Sequence, residues 1–243
     1  MQYLLVQFFV VSGLLLWVRF GKYNEIDVGR KTIAIPYRVC AGIAGCLILF
    51  SFQAMLSQIL DGMAISYGIK SLMAFSISGL FAVSIPVLVM VSRVDSRAIQ
   101  AGVFSKSSPT HSNVGTVVVV AGSCFLFAKL YLAEIQLGNL ATVGSKSNDF
   151  SKTFSFLLLA GLVAPVVEEI LFRGLIFRGL YNAKRSLTAA VLSALIFALF
   201  HSAEVALPVF VLGLGCAVVY EQCQTLVAPI AVHAAYNLGQ LLF

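Results

Sequence analysis

The chain has 243 residues, 60% of them hydrophobic and only 11% charged, and its mean hydropathy is +0.97. Soluble domains carry about 25% charged residues, so the composition excludes a water-soluble globule and points to an all-α integral membrane protein. The formal net charge of +6 predicts basic cytoplasmic loops rather than a nucleic-acid surface, because Lys and Arg of membrane proteins collect on the inner side; no nucleic-acid partner is expected.

A spanning helix takes about 20 apolar residues. Eight stretches approach that length, at 2–19, 39–60, 71–92, 114–136, 154–177, 187–203, 205–221 and 226–243. The first lacks a basic start and a small-residue cleavage site, so it reads as a retained helix rather than a signal peptide. Basic residues crowd the first loop (Arg19, Lys22, Arg30, Lys31, Arg38), the third (Arg93, Arg97, Lys106) and the fifth (Arg178, Lys184, Arg185). The positive-inside rule places those loops in the cytoplasm and both termini outside. Lys129, with Glu134 five residues on, reads as a snorkelling lysine near a helix end. The last three stretches are short enough to be tilted, broken or re-entrant. Serine- and glycine-rich segments at 102–115 and 138–151 read as exposed connections. The expectation is one polytopic domain over 1–243: N-terminal helices without a motif over 1–153, and a core carrying the chemistry over 154–243. Short loops and no targeting segment suggest a bacterial plasma membrane, with lipid as the surrounding partner.

The cysteines (Cys40, Cys46, Cys124, Cys216, Cys223) lie in or beside apolar runs without a CxxC pair, as small buried hydrophobes do. Gly213 and Gly215 are expected at a close helix contact. Pro208 and Pro229 mark kinks or helix starts. Glu204 and Glu221 sit at helix ends, and His111 in a polar loop.

The fifth stretch breaks the apolar pattern with PVVEEILFRG, residues 165–174. Each unpaired charge at a helix centre costs about 2.5–3.5 kcal/mol on the insertion scale. Glu169 and Arg173 share one helical face at i,i+4 and can pair. Glu168 points about 100° away from Glu169 and is left free. Pro165 lacks an N–H and clashes with the carbonyl of Gly161 in α register, which predicts a kink or break. A structural ion pair at a helix end is the plain alternative. His201 and His233 lie in the apolar C-terminal third. His233 and Asn237 share a face, as do Phe197 and His201. A carboxylate, two imidazoles and an amide in apolar surroundings form a set able to activate water and hold an oxyanion.

Three motifs stand in order: EExxxRG from Glu168 to Gly174, FxxxH from Phe197 to His201, and HxxxN from His233 to Asn237. Together they resemble the CAAX-processing and bacteriocin-processing (CPBP, or Abi) intramembrane protease family, over about residues 154–243. The resemblance implies a bundle of about eight transmembrane helices with the site in the C-terminal ones. It implies peptide-bond hydrolysis in a peptide or membrane-associated protein substrate. Glu168 would be the base, assisted by His201; His233 and Asn237 would hold the oxyanion. Glu169 and Arg173 would support the geometry, with Phe197 packed behind His201. The metal-free form requires no cofactor. The alternative is a zinc protease with Glu168, His201 and His233 as ligands, although the compact HExxH arrangement is absent. Against an endopeptidase with its site near the inner end of the fifth span stand two other classes. One is a transporter using the same charges, for which duplicated halves are missing. The other is a non-catalytic immunity or scaffold protein that retains the fold.

Overall fold

The computed structural model describes residues 35–91, 111–137, 150–181 and 186–242. Among them the chain is helical throughout and no strand occurs. The helices are α1 (Ile35–Asp61), α2 (Tyr67–Val91), α3 (His111–Leu137), α4 (one continuous rod over 150–180), α5 (Ser186–Leu199), α6 (Ala206–Cys223) and α7 (Val227–Leu242). Each matches a stretch expected from hydropathy, with ends shifted by up to four residues. The stretch 2–19 lies outside the described residues, so these support seven helices rather than eight.

Five helices are long and apolar enough to cross a membrane: α1, α2, α3, α4 and α6. The chain is a multi-pass membrane protein. The hydrocarbon core is about 30 Å thick. α5, with 14 residues, rises only about 21 Å. α7, with 16, rises about 24 Å. Of the last three helices, only α6 is long and apolar enough to be a candidate span. Pro208 and Pro229 each occupy the third residue of their helix. A first-turn N–H has no intrahelical partner to lose, so both are helix starts and neither is a kink.

In lipid every backbone polar group must be satisfied within the protein, and helices apolar on most faces do so. Hydroxyls inside them turn back on their own helix: Ser51 and Ser78 each donate to the carbonyl four residues earlier, at 2.6 Å. Packing between the helices depends on small residues, because lipid leaves little hydrophobic drive for helix association. A Cβ at Gly42 or Gly45 of α1 would fall 2.5 Å from Ile176 or Leu171 of α4, and one at Gly79 of α2 would fall 2.7 Å from Val167. Gly213 and Gly215 do the same for α6, against Ala194 of α5 at 3.0 Å and Val120 of α3 at 2.8 Å. The larger of two buried clusters draws residues from all seven helices, among them Leu171, Leu175 and Ile176 of α4, which are shut off from solvent. The five cysteines are free; Cys46, Cys124, Cys216 and Cys223 are buried. Lys129 sits four residues before the end of its span, its ammonium 5.5 Å from the Phe125 ring centroid. That position suits snorkelling; the side chain of Glu134 lies outside the described set.

Candidate active site

α4 changes helical register twice. It is α-helical over Phe150–Leu158, π-helical over Leu159–Val163, α-helical over Ala164–Glu169, π-helical over Ile170–Phe177, and α-helical again at Arg178–Leu180. A π turn bonds i to i+5. Accordingly Ala164 N–H reaches back to Leu159 O. The next carbonyl, Ala160 O, then faces Pro165, which has no N–H to give. Asn237 of α7 fills the vacancy: its Nδ2 donates to Ala160 O at 2.9 Å. In α register the conflict was expected at Gly161; the π turn moves the orphaned carbonyl back one residue. Gly161 instead admits Leu238 of α7, which a Cβ would meet at 2.8 Å.

Five residues further on, Glu169 and Arg173 are both fully buried. Arg173 Nη1 bonds Glu169 Oε1 at 2.8 Å, as their spacing predicts. Arg173 Nη2 also donates to Gly213 O on α6, at 3.0 Å. Desolvating each ion costs several kcal/mol, and these bonds are the offset. The same Glu169 oxygen also lies 2.8 Å from His233 Nδ1. A carboxylate paired with Arg accepts only, so Nδ1 carries the proton and the ring's other nitrogen, Nε2, is left to the site. Reading along one helix assigned Glu169 to Arg173 alone and missed this bond, which joins residues 64 apart. Glu168 turns the other way. Its side chain keeps 14% exposure, and Oε2 stands 3.7 Å from His233 Nε2. That is too long for a direct hydrogen bond and suits a bridging water. Glu168 lies ten residues before Arg178 in the sequence, with the π segment Ile170–Phe177 between them.

His201 was expected within a helix reaching 203. α5 ends at Leu199, and Phe200 and His201 N–H bond three residues back, to Phe197 O and Ala198 O. His201 is therefore in the turn before α6. Its Nδ1 lies 2.9 Å from Phe197 O. A carbonyl can only accept, so Nδ1 is again the donor and Nε2 is again free. The Phe197 ring sets the spacing: its centroid lies 4.8 Å from His201, 5.7 Å from His233 and 4.7 Å from Phe172, all edge-on, and Arg173 Cζ lies 5.0 Å over it.

These groups surround a cavity of about 290 Å³. One wall is polar: Glu168, His201, His233, Asn237 and Gln240, with Tyr236 beside them. The other is apolar: Leu132 of α3 and Val205, Pro208, Val209 and Leu212 at the start of α6. All four residues expected in the chemistry reach this one cavity, from α4, the α5–α6 turn and α7. Gln240 was missed, although it follows Asn237 by three residues on the same face.

The donor set has one feature of a zinc site and lacks another. Both histidines hold Nδ1 on an oxygen acceptor, as metal-bound histidines do. Yet among the described residues no three His, Cys, Asp or Glu side chains gather closely enough to hold an ion. As placed, Glu168, His201 and His233 do not form a zinc site, and no step below passes through one.

Comparison with known proteins converges on the same segment. Residues 150–239 match the family model described as type II CAAX prenyl endopeptidase Rce1-like. The chain is 33% identical over 95 residues to the membrane-embedded CAAX protease MroQ of Staphylococcus aureus (strain USA300). That match covers 36% of this chain and 38% of the relative's length. No solved structure matches. From Glu168 to Asn237 every expected site residue falls within the matched segment, which is similar to the Rce1-like CAAX protease family, and the chain spans well under half the length of the curated relative it matches.

Proposed function

We propose that the protein is an intramembrane endopeptidase that cleaves a peptide bond in a peptide or membrane-associated protein, using Glu168 as the base that activates water and no metal. The supporting observation is the meeting of Glu168, His201, His233 and Asn237 at one cavity although they come from three separate parts of the chain. A water in the cavity beside Glu168 gives one proton to that carboxylate and the other hydrogen bond to the free Nε2 of His201. Attack on the scissile carbonyl then places negative charge on its oxygen. Asn237 keeps one amide hydrogen on Ala160 O and turns the second to the oxyanion. His233, whose Nδ1–H is held by Glu169, meets the oxyanion through Nε2–H, on a proton taken up from solvent as substrate binds and returned to solvent on product release. Glu168 finally returns its proton to the leaving amine. Glu169, Arg173 and Phe197 fix these positions. The matched family points to substrates presented at a membrane.

The test is cleavage of internally quenched peptides with apolar cores by purified protein. Glu168→Gln is expected to lower kcat by about 10²–10⁴-fold, and Asn237→Ala by about 10²–10³-fold, with thermal midpoints near wild type. Wild-type rates in both variants sink the reading. Chelator-resistant cleavage supports the metal-free form; cleavage restored only by added zinc overturns it. Residue-dependent ion flux into liposomes without cleavage would point to a transporter instead.

A further inference from the structure

We propose that Gln240 is a substrate-binding residue whose side-chain amide donates to a substrate backbone carbonyl flanking the scissile bond. The proposal rests on the endopeptidase reading above and adds a contact to it. Gln240 lines the same cavity as Glu168 and His233. Its Nε2 is buried and has no hydrogen-bond partner. The neighbouring polar groups are anchored: Asn237 on Ala160 O, His233 on Glu169 and His201 on Phe197 O. Among the described residues that line this cavity, Gln240 Nε2 is the buried side-chain nitrogen with no partner at all. Buried N–H groups are rarely left unpaired, because the desolvation penalty goes uncompensated. The Gln240 side chain lines the cavity, so a rotation of its terminal amide brings this unpartnered donor to a group that enters.

The entrant is a peptide, and its available acceptors are backbone carbonyls. Gln240 follows Asn237 by three residues, about 4.5 Å further along α7. An extended peptide advances about 3.3 Å per residue. With the scissile carbonyl at Asn237, the flexible Gln240 side chain reaches an adjoining carbonyl. A neutral amide suits that task. It orients a carbonyl without placing another charge beside Glu168, and it carries no side-chain specificity. Gln240 lies one residue beyond the segment matched by the family model, so nothing in that match assigns it a role.

Gln240→Leu removes the amide at nearly constant volume. With full-length protein and the apolar-core peptides, KM is expected to rise about threefold to tenfold, the span of one neutral hydrogen bond, while kcat stays within about threefold. The thermal midpoint of the peptide-free protein should hold or rise, because an unpartnered buried amide has been removed. A glutamine that only supports the fold gives the opposite pattern, a lower midpoint with unchanged KM, and that result overturns the proposal. If wild type cleaves none of the peptides, the endopeptidase reading fails separately. Gln240 is then read by anisotropy of a fluorescein-labelled apolar-core peptide on Glu168→Gln protein, with and without Gln240→Leu. Weaker binding in the double variant supports the contact, and equal affinity overturns it.

Discussion

Glu169 takes part in two bonds through one oxygen, and that makes it the residue on which stability and chemistry meet. Oε1 accepts from Arg173 and from His233, both at 2.8 Å. Removing one partner of a buried pair leaves an uncompensated charge and costs about 3–5 kcal/mol, whereas replacing both with neutral groups is often tolerated. Arg173→Met is therefore expected to destabilise by about 3–5 kcal/mol. The double variant Glu169→Gln/Arg173→Met should recover most of that loss in thermal melts. Cleavage should stay at least about tenfold down in the double variant, because His233 Nδ1 no longer meets an anionic acceptor. Recovery of both stability and rate would confine Glu169 to a structural role. The pair itself was legible in the sequence, since i,i+4 spacing on one helix fixes it. The bond to His233 was not, because helical periodicity carries no information about which face of α7 meets α4.

At the scale of the element, the π turn at Leu159–Val163 connects Pro165 to Asn237. A proline within a helix removes one N–H, and which carbonyl is orphaned depends on register. Periodicity at 3.6 residues assumes α geometry throughout, so the sequence announces a disturbance at Pro165 but misplaces it by one residue. The same assumption carried α5 through to 203 and put His201 on a helix, where the structure puts it in a turn. Motif spacing survived both errors, because FxxxH still brings His201 Nδ1 to Phe197 O and HxxxN still aligns His233 with Asn237. Pro165→Ala tests the link. It restores an N–H that competes with Asn237 for Ala160 O, releasing the amide from its anchor. kcat is expected to fall about tenfold, on the order of one positioned hydrogen bond, while the thermal midpoint holds or rises as an internal proline is removed. A lower midpoint at unchanged kcat would cut the connection between the π turn and the site.

For the whole molecule, the open question of sidedness has a structural handle. Arg38 at the start of the first described span and Arg178 near the end of α4 belong to different basic loops in the sequence. The fold brings their ends together: a Cβ at Gly179 would lie 2.9 Å from Arg38 Cβ. At the opposite end of α1, Lys70 Nζ donates to Asp61 O at 3.1 Å, so that end carries a cation matched to a helix C-terminus and an acidic residue close by. Among the described residues Arg38 and Arg178 thus share one end, and the positive-inside rule gives the expectation that this end is cytoplasmic. Met63, half-exposed in the α1–α2 turn, then faces outward, and Tyr181, just past the end of α4, faces inward. In intact cells a membrane-impermeant maleimide is expected to label Met63→Cys and to spare Tyr181→Cys until the membrane is opened; the parent chain, whose cysteines are largely buried, gives the background. The reverse pattern would turn the bundle over. It would also turn over the side from which substrate meets Glu168, because α4 carries both that residue and Arg178.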